Sequence, residues 1–417
     1  MVSKLRKFWK ALGPGLITGA SDDDPSAIAV YTIAGAHTGY SMLWTLLFSL
    51  PFMVAIQEMS ARIGALSGCG LAGNIKRHYP AWLLVIVASV IVLANVFNVG
   101  ANIYGMAGAL NLLVPIPEQV LAVLLSVLIL WMTIRLRYKQ IVNVFKWLAM
   151  MLFAYVLAAF FINPDWFQIL KHTLIPNWQI DKQFLVILFA VVGTTLSPYL
   201  YFWQASEEAE DIRQAHPLIR VCKFRAVRKG ELQRIEWDTK LGMFFSNIIS
   251  FFIVILAAAT LYGGVHANVE TLEQAAKALQ PIAGEYAYIL FSVGLIGSGL
   301  LAIPILAGSA AYVLAELFNW RGSLDDSYSK AREFYIVFTL AMIAGLAIPF
   351  VGITPVQALF WTAVLNGLIA PLLILVIIHM ANNPKIVGPN VSSRVMNWLG
   401  HLAFLIMTAG AIFVIIS

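Results

Sequence analysis

The chain has 417 residues, of which 60% are hydrophobic and only 12% are charged, and its mean hydropathy is +0.82. Soluble proteins carry about a quarter charged residues, so this composition excludes the soluble class and predicts an all-α membrane protein. The net charge of +6 is typical of membrane proteins with basic cytoplasmic loops, and no nucleic-acid partner is expected.

Apolar segments long enough to cross about 30 Å of lipid hydrocarbon follow one another along the whole chain. We predict about eleven transmembrane helices, which form a single transmembrane domain over residues 1–417 in a lipid bilayer. In chain order, their predicted bounds are Leu12 to His37, Met42 to Leu66, Ala81 to Met106, Val120 to Ile134, Val144 to Ile162, Phe184 to Ala205, Leu241 to Tyr262, Tyr286 to Val313, Phe334 to Phe350, Val356 to Met380 and Trp398 to Ile416.

The positive residues alternate between successive loops. Short cytoplasmic loops retain Lys and Arg, so this alternation predicts a multi-pass protein of the cell membrane with a cytoplasmic N-terminus. The basic set of loops holds Lys4, Arg6, Lys7, Lys10, Lys76, Arg77, Arg135, Arg137, Lys139, Lys146, the run from Arg213 to Lys240, Arg321, Lys330, Arg332, Lys385 and Arg394, whereas the opposite set holds Lys171, Lys182 and Lys277.

The longest polar stretch covers residues 206–240, and its mixed charges predict a cytoplasmic loop with a short surface helix. The two cysteines of the chain, Cys69 and Cys222, fall in predicted cytoplasmic loops. Disulfides are rare in the reducing cytosol, so no disulfide is expected.

Two of the predicted helices are interrupted near their middles, helix 1 at residues 19–26 and helix 6 at residues 193–199. Proline removes a backbone donor and glycine loosens a helix, and the freed groups are tolerated at bilayer depth only where they line a cavity. Interruptions in the first and sixth helices are typical of inverted-repeat transporters. We therefore predict a LeuT-type 5+5 fold with repeats at 11–162 and 183–380, and an extra helix at 396–416. Two ordinary proline kinks are the alternative.

Three consecutive aspartates in helix 1 are the strongest functional signal. A carboxylate at the bilayer centre costs at least about 2.5 kcal/mol, so acids at this depth usually face a polar path or a ligand. Asp24, directly before Pro25, is the expected metal ligand, with Asp22 and Asp23 nearer to the access path. The alternative places all three in a turn outside the membrane.

Oxygen ligands suit hard divalent cations. Ser197 and Thr194 of helix 6 can add hydroxyl or water-mediated contacts, and carbonyls near Ala20 and Gly193 can complete the shell. The alternative for Ser197 is a hydroxyl that bonds back to its own helix. Thiolate, thioether and imidazole groups are missing from both interruptions, which argues against a soft transition metal.

Other polar residues in the apolar segments are candidates for a path or a gate. Gln57 and Glu58 lie near Arg62 at the inner end of helix 2, where an ion pair forms either a gate or a packing contact. Helix 3 carries a polar stripe at three- and four-residue spacing, which lines a water path or bonds to neighbouring helices. The stripe consists of Asn95, Asn98 and Asn102, and Asn247 on helix 7 and Asn366 on helix 10 are further candidates.

Several short motifs lie along the chain, namely Gly13-Pro14-Gly15 with Asp24-Pro25, the run Gln57-Glu58-Met59, and the helix-6 break at Pro198 followed by Gln204 to Ser206. Together these motifs resemble the NRAMP family of divalent-metal transporters. The resemblance covers essentially all eleven helices. It implies a divalent metal ion as transported substrate, alternating access and no cofactor.

The chain also departs from the best-known members of that family. Their helix-1 asparagine ligand becomes Ala27, and their helix-6 methionine and histidine become Ser197 and Tyr199. Their acidic pair in helix 3 falls on Asn95 and Asn98, which cannot exchange a proton near neutral pH. These departures resemble the NRAMP-related magnesium transporters, which implies Mg²⁺ first and Mn²⁺ second, without strong proton coupling. The replacement of these ligands by smaller groups without sulfur is consistent with Mg²⁺, since Mg²⁺ dehydrates reluctantly and prefers oxygen.

Two other functions are alternatives. One is a transporter of a small organic solute, an amine or an amino acid, on the same fold, and another is an ion channel. A membrane enzyme is not expected, because the sequence lacks a His-Glu-x-x-His zinc motif and a convincing nucleophile and base pair. The sequence leaves the oligomeric state open.

Overall fold

The computed structural model describes residues 14–136, 140, 152–178, 181–215, 224–264 and 269–417. Their regular elements are all helical, which confirms the predicted class. In chain order they are α1 (Pro14–Asp22), α2 (Pro25–Thr38), α3 (Leu43–Ser67), α4 (Leu71–His78), α5 (Ala81–Asn111), α6 (Glu118–Arg135), α7 (Phe153–Ile162), α8 (Trp166–Leu174), α9 (Lys182–Thr195), α10 (Pro198–Ala215), α11 (Lys229–Leu261), α12 (Leu272–Ala276), α13 (Gln280–Ala283), α14 (Ala287–Phe318), α15 (Arg332–Gly345), α16 (Pro355–Ala381), α17 (Pro384–Val387) and α18 (Arg394–Ile416), with short 3₁₀ turns between some of them.

Within these described ranges, nine stretches are long and apolar enough to cross a membrane. The first of them, Pro25–Ser67, joins the second half of predicted helix 1 to predicted helix 2. Predicted helix 5 is represented by the shorter apolar helix Phe153–Ile162, and its predicted beginning at Val144 lies outside the described residues. Large apolar side chains such as Leu93 and Phe161 are 70% and 77% exposed, as expected for surfaces that face lipid.

Both predicted helix interruptions are present. α1 ends at Asp22 and α2 begins at Pro25, while α9 ends at Thr195 and α10 begins at Pro198. Each break therefore leaves two residues outside the helices. Proline suits the first position of the second half, because the N–H that it lacks has no helical partner there.

The prediction of a loop over residues 206–240 is wrong for most of its described length. α10 and α11 extend into it from either side, so that 224–228 is its described non-helical part. Two of the acidic residues that indicated a solvated loop instead face α14, where the Tyr312 hydroxyl lies 3.0 Å from Glu207 Oε1 and 2.8 Å from Glu210 Oε2. These two side chains therefore contact a neighbouring helix and do not mark a solvated loop.

The prediction that no disulfide forms is also wrong, since Cys69 is disulfide-bonded. The other cysteine, Cys222, lies outside the described residues. The α10–α11 connection packs against the turn that holds Cys69, as the 2.8 Å hydrogen bond from Arg225 N to Leu66 O shows. Sequence spacing alone does not reveal this approach.

Helix α11 packs along α1, α2 and α3, and its contact with α1 is backbone against backbone. A Cβ atom added at Gly19 would lie 2.2 Å from the Gly242 carbonyl oxygen, and one added at Gly242 would lie 2.1 Å from the Gly15 carbonyl oxygen. Asp238 of α11 also accepts a hydrogen bond of 2.8 Å from Gly15 N, near the start of α1. The first helix break is thereby fixed against α11 on one side, while α5 lies on another.

Candidate functional site

The three aspartates of the first break are all inside the protein. Asp22, Asp23 and Asp24 are 2%, 1% and 2% exposed. The ion pairs found among the described residues involve none of them. Burying an unpaired carboxylate is strongly unfavourable, so these groups need hydrogen-bond donors or a cation.

Asp24 is held by donors from its own helix and from α5. It caps the N-terminus of α2, where its Oδ1 accepts from Ala27 N at 2.9 Å and from the Ser26 hydroxyl at 2.6 Å. Its Oδ2 accepts from Asn102 Nδ2 at 2.9 Å, and Asn102 Oδ1 accepts from Ser26 N at 3.1 Å. A negative charge at a helix N-terminus is stabilised by the helix dipole as well as by the capping bonds.

Asp22 and Asp23 face the opposite neighbour, α11. The Ser246 hydroxyl donates to Asp22 Oδ2 at 2.7 Å and lies 3.4 Å from Asp23 Oδ1, and the Ser250 hydroxyl lies 3.0 Å from the same Asp23 oxygen. The second oxygen of each carboxylate, Asp22 Oδ1 and Asp23 Oδ2, is buried without a hydrogen-bond partner. The break therefore contains one carboxylate with both oxygens hydrogen-bonded and two carboxylates with one oxygen each left without a partner.

The second break lies against the first. The Tyr199 hydroxyl, one residue after Pro198, donates to the Ser21 carbonyl at 3.1 Å. The Ser197 hydroxyl donates to the Thr194 carbonyl, which is the local bond that was the alternative to ligation. Its lone pairs stay available, since a hydroxyl that donates its one hydrogen can still accept.

The proposed carbonyl ligands lie at helix ends. Ala20 is in the last turn of α1, and Gly193 and Thr194 are in the last turn of α9. The final carbonyls of a helix lack intrahelical partners and carry partial negative charge, which favours a cation. Gly193 is also packed tightly against α16, since a Cβ there would lie 2.5 Å from the Ala363 carbonyl oxygen.

Gln57 does not reach the aspartates but joins three helices beside them. Its Nε2 donates to Gln204 Oε1 at 2.6 Å and to the Leu200 carbonyl at 3.0 Å. Gln204 Nε2 then donates to the Thr239 hydroxyl at 2.7 Å. We call Gln57, Gln204 and Thr239 the glutamine bridge, which connects α3, α10 and α11.

Glu58 takes part in an ion-pair network next to the glutamine bridge. Its nearest cation is Lys240, at 3.3 Å, a partner that sequence reasoning did not identify. Arg62 lies at 3.9 Å from Glu58 and 3.6 Å from Glu236. The ion pair predicted at the inner end of the second helix is therefore present, and Lys240 extends it to α11.

The asparagine stripe of α5 divides between two neighbours. Asn98 Nδ2 donates to Asn366 Oδ1 of α16 at 2.9 Å, whereas Asn102, about one turn further along, reaches the first break. Asn95 is buried, and its amide nitrogen has no partner in the structure. Asn247 bonds a backbone carbonyl of α3 at 3.0 Å and does not approach the break through that bond.

The sequence-based reasoning missed the serine partners on α11. Ser246 and Ser250 are four residues apart in an apolar helix, so they lie on one face, and this spacing is the signal that could have found them. In the described part of the chain, no three His, Cys, Asp or Glu side chains form a metal cage by themselves. A cation at the breaks would therefore take hydroxyl, carbonyl or water oxygens as additional ligands.

Comparison with known proteins agrees with this architecture. A family profile described as "Natural resistance-associated macrophage protein-like" matches residues 15–417. Two relatives are named divalent metal cation transporter MntH. The protein of Caldanaerobacter subterraneus is 26% identical over 96% of this chain and 94% of its own length, and that of Mycobacterium tuberculosis is 24% identical over 95% and 89%.

Solved structures share the fold. The manganese transporter of Eremococcus coleocola superposes with a TM-score of 0.77 at 18% identity, over 97% of this chain and 86% of that one. MhsT, solved in complex with L-phenylalanine, gives a TM-score of 0.62 at 12% identity, over 96% and 98%. The multi-pass LeuT-type fold predicted from the two breaks is confirmed, and the chain belongs to the NRAMP family.

Proposed function

We propose that this protein carries divalent metal ions across the membrane by alternating access. The observation that carries the proposal is the set of three buried carboxylates without ion-pair partners where two broken helices meet. Relatives over nearly the whole chain are named divalent metal cation transporters, and a manganese transporter has the same fold.

The ion would bind at bilayer depth between the two breaks. Asp24 would supply negative charge, Ser197 and Thr194 would contribute oxygens directly or through water, and the carbonyls of Ala20 and Gly193, in the last turns of α1 and α9, would complete the shell. This arrangement corresponds to the midplane sites of inverted-repeat transporters, which form where helices are discontinuous.

The proposed substrates are Mg²⁺ first and Mn²⁺ second. The side chains at the breaks offer oxygen atoms, which both ions accept. Ala27 and Ser197 are smaller than the asparagine and methionine of the best-known family members, and this change favours an ion such as Mg²⁺ that dehydrates reluctantly and keeps water molecules. The manganese transporter among the structural neighbours supports Mn²⁺ as the second substrate.

The glutamine bridge and the Glu58–Lys240 pair form the proposed gate. They lie on the side of the breaks that the loop charges assign to the cytoplasm, and the N-terminus is proposed to lie on that side. Helices α3, α10 and α11 meet there through hydrogen bonds of 2.6 and 2.7 Å, so they must separate before an ion can leave in that direction. Alternating access then consists of breaking these bonds while the opposite side closes.

Transport is proposed to proceed without strong proton coupling. Asn98 is engaged with Asn366 in an amide pair, and Asn95 is likewise an amide, so neither can carry a proton near neutral pH. Uptake by proteoliposomes with an internal pH dye tests this point, because acidification in step with metal uptake would contradict it.

The main test compares Mg²⁺, Mn²⁺ and Ca²⁺ uptake by proteoliposomes containing the wild type or Asp24→Asn. The variant should lose metal uptake while it stays folded, because asparagine is also a good helix cap. Asp165→Asn is a matched control, since Asp165 caps α8 in the same way but is exposed. Unchanged uptake by Asp24→Asn would refute the proposed site, and calorimetric heat with an amine but not with metal would favour the organic-solute alternative.

A further inference from the structure

We propose that Asp22 and Asp23, together with Ser246 and Ser250 of α11, are direct ligands of the transported ion. This inference rests on the proposed function and goes further, because it assigns the charge that binds the dication to this pair. Asp24 then positions the break as well as contributing to the site. We call these four residues the α11-side cluster.

The three aspartates are unequally hydrogen-bonded. Asp24 already accepts three hydrogen bonds, two from the first turn of α2 and one from Asn102. Asp22 and Asp23 each keep one oxygen that is buried without a partner, although both residues are at least 98% buried. A buried acceptor left unsatisfied is destabilising, and a bound cation would remove that penalty for both oxygens.

The charge of Asp22 and Asp23 also favours a divalent cation. Two ionised carboxylates carry the charge that balances one dication, and the ion pairs among the described residues bring no Lys or Arg to them. Asp24, by contrast, has its charge stabilised at the N-terminus of α2. The electrostatic demand for a divalent cation is therefore greatest at Asp22 and Asp23.

Helix α11 holds the oxygen atoms of the α11-side cluster in place. Ser246 lies within 3.4 Å of both carboxylates, and Ser250 lies 3.0 Å from Asp23. The glycine contacts between α1 and α11 hold these groups in place, because any larger residue at Gly19 would collide with the backbone of Gly242. Hydroxyl and carboxylate oxygens in a fixed array are the ligands that Mg²⁺ and Mn²⁺ take.

The α11-side cluster is continuous with the site between the two breaks. Tyr199, two residues after Ser197, donates to the carbonyl of Ser21, the residue before Asp22. An ion bound to Asp22 would thus also lie beside the second break, which provides the remaining oxygens. One ion with ligands from the two breaks and from α11 satisfies both sets of observations.

Isothermal titration of the purified full-length chain with Mn²⁺ tests the assignment. Asp22→Asn and Asp23→Asn should each weaken Mn²⁺ binding by at least about tenfold, and the double variant should give no binding heat, whereas Asp165→Asn should bind as the wild type does. If Asp24→Asn abolishes binding and the Asp22/Asp23 double variant does not weaken it, this inference is wrong and the proposed function stands. If all of these variants bind Mn²⁺ equally, both fail.

A second measurement separates ligation from a structural role. Ser246→Cys replaces a hard oxygen with sulfur, which favours soft ions, so the ratio of Cd²⁺ to Mn²⁺ affinity should rise at least about tenfold. Ser292→Cys is the control, since Ser292 is a fully buried serine of α14 that bonds the Ala109 carbonyl. An equal ratio in the two cysteine variants would overturn the role of Ser246 as a ligand.

Discussion

Substitution of Gly19 by alanine tests whether the contact between α1 and α11 supports the site. The new Cβ would lie 2.2 Å from the Gly242 carbonyl oxygen, so the helices must move apart by about 1 Å to reach a van der Waals contact. Ser246 donates to Asp22 at 2.7 Å, and the same movement takes this bond past about 3.5 Å, where hydrogen bonding fails. Overpacking of this kind costs about 1–3 kcal/mol.

That energy corresponds to a change of about 5- to 150-fold in an equilibrium constant. Because the site has its binding geometry only at the wild-type helix spacing, ion binding must supply this energy, so we expect Gly19→Ala to weaken Mn²⁺ binding by a factor in this range. The melting temperature of the detergent-solubilised protein should also fall. Calorimetry and a thermal-shift assay measure the two effects. Gly230→Ala is the control on α11, because a Cβ there meets nothing within 4 Å. Mn²⁺ affinity within twofold of the wild type in Gly19→Ala would refute the reasoning.

Three further predictions concern the surroundings of the site. Gln204→Leu removes the bond to Thr239 and should raise the labelling rate of a cysteine placed in the path on the cytoplasmic side severalfold; an unchanged rate would exclude a gating role. Asn102→Leu removes one hydrogen-bond donor from Asp24. A hydrogen bond to a charged group contributes about 1.5–3 kcal/mol, so the metal affinity measured by titration should change at least about tenfold. An unchanged affinity would show that the Asn102 amide does not contribute to the site. Lys240→Gln leaves the buried Glu58 with Arg62 as its remaining cation, at a longer distance, and should lower the melting temperature by a few degrees. A melting temperature equal to that of the wild type would show that the Glu58–Lys240 pair adds no stability.

The two breaks were predictable because their causes are local. Pro25 and Pro198 begin the second halves of their helices, and each proline excludes a helical backbone bond at that position. The acidic run before Pro25 likewise indicates a cavity, since carboxylates at bilayer depth are otherwise too unfavourable. These signals involve neighbours in sequence, so one chain without relatives was enough to find them.

The division of work among the aspartates was not predictable in this way. Ser246 is separated from Asp22 by 224 residues, and which side of the break each carboxylate faces depends on how α5 and α11 pack around it. The same limit applies to Glu210, whose acidic character indicated a solvated loop. Its partner Tyr312 lies 102 residues later in the chain, and composition carries no information about such a partner.

The union of α1 with α11 also has a consequence for the order of events in transport. A capping bond from Gly15 to Asp238, glycine backbones in contact and the serine bond to Asp22 join the two helices along the length of α1. Thr239, also on α11, accepts the hydrogen bond from Gln204 that completes the glutamine bridge. We therefore expect α1 and α11 to move as one rigid body. Their displacement would break the glutamine bridge and weaken the contacts to the bound ion at the same time, so that ions do not leak through a partly open intermediate.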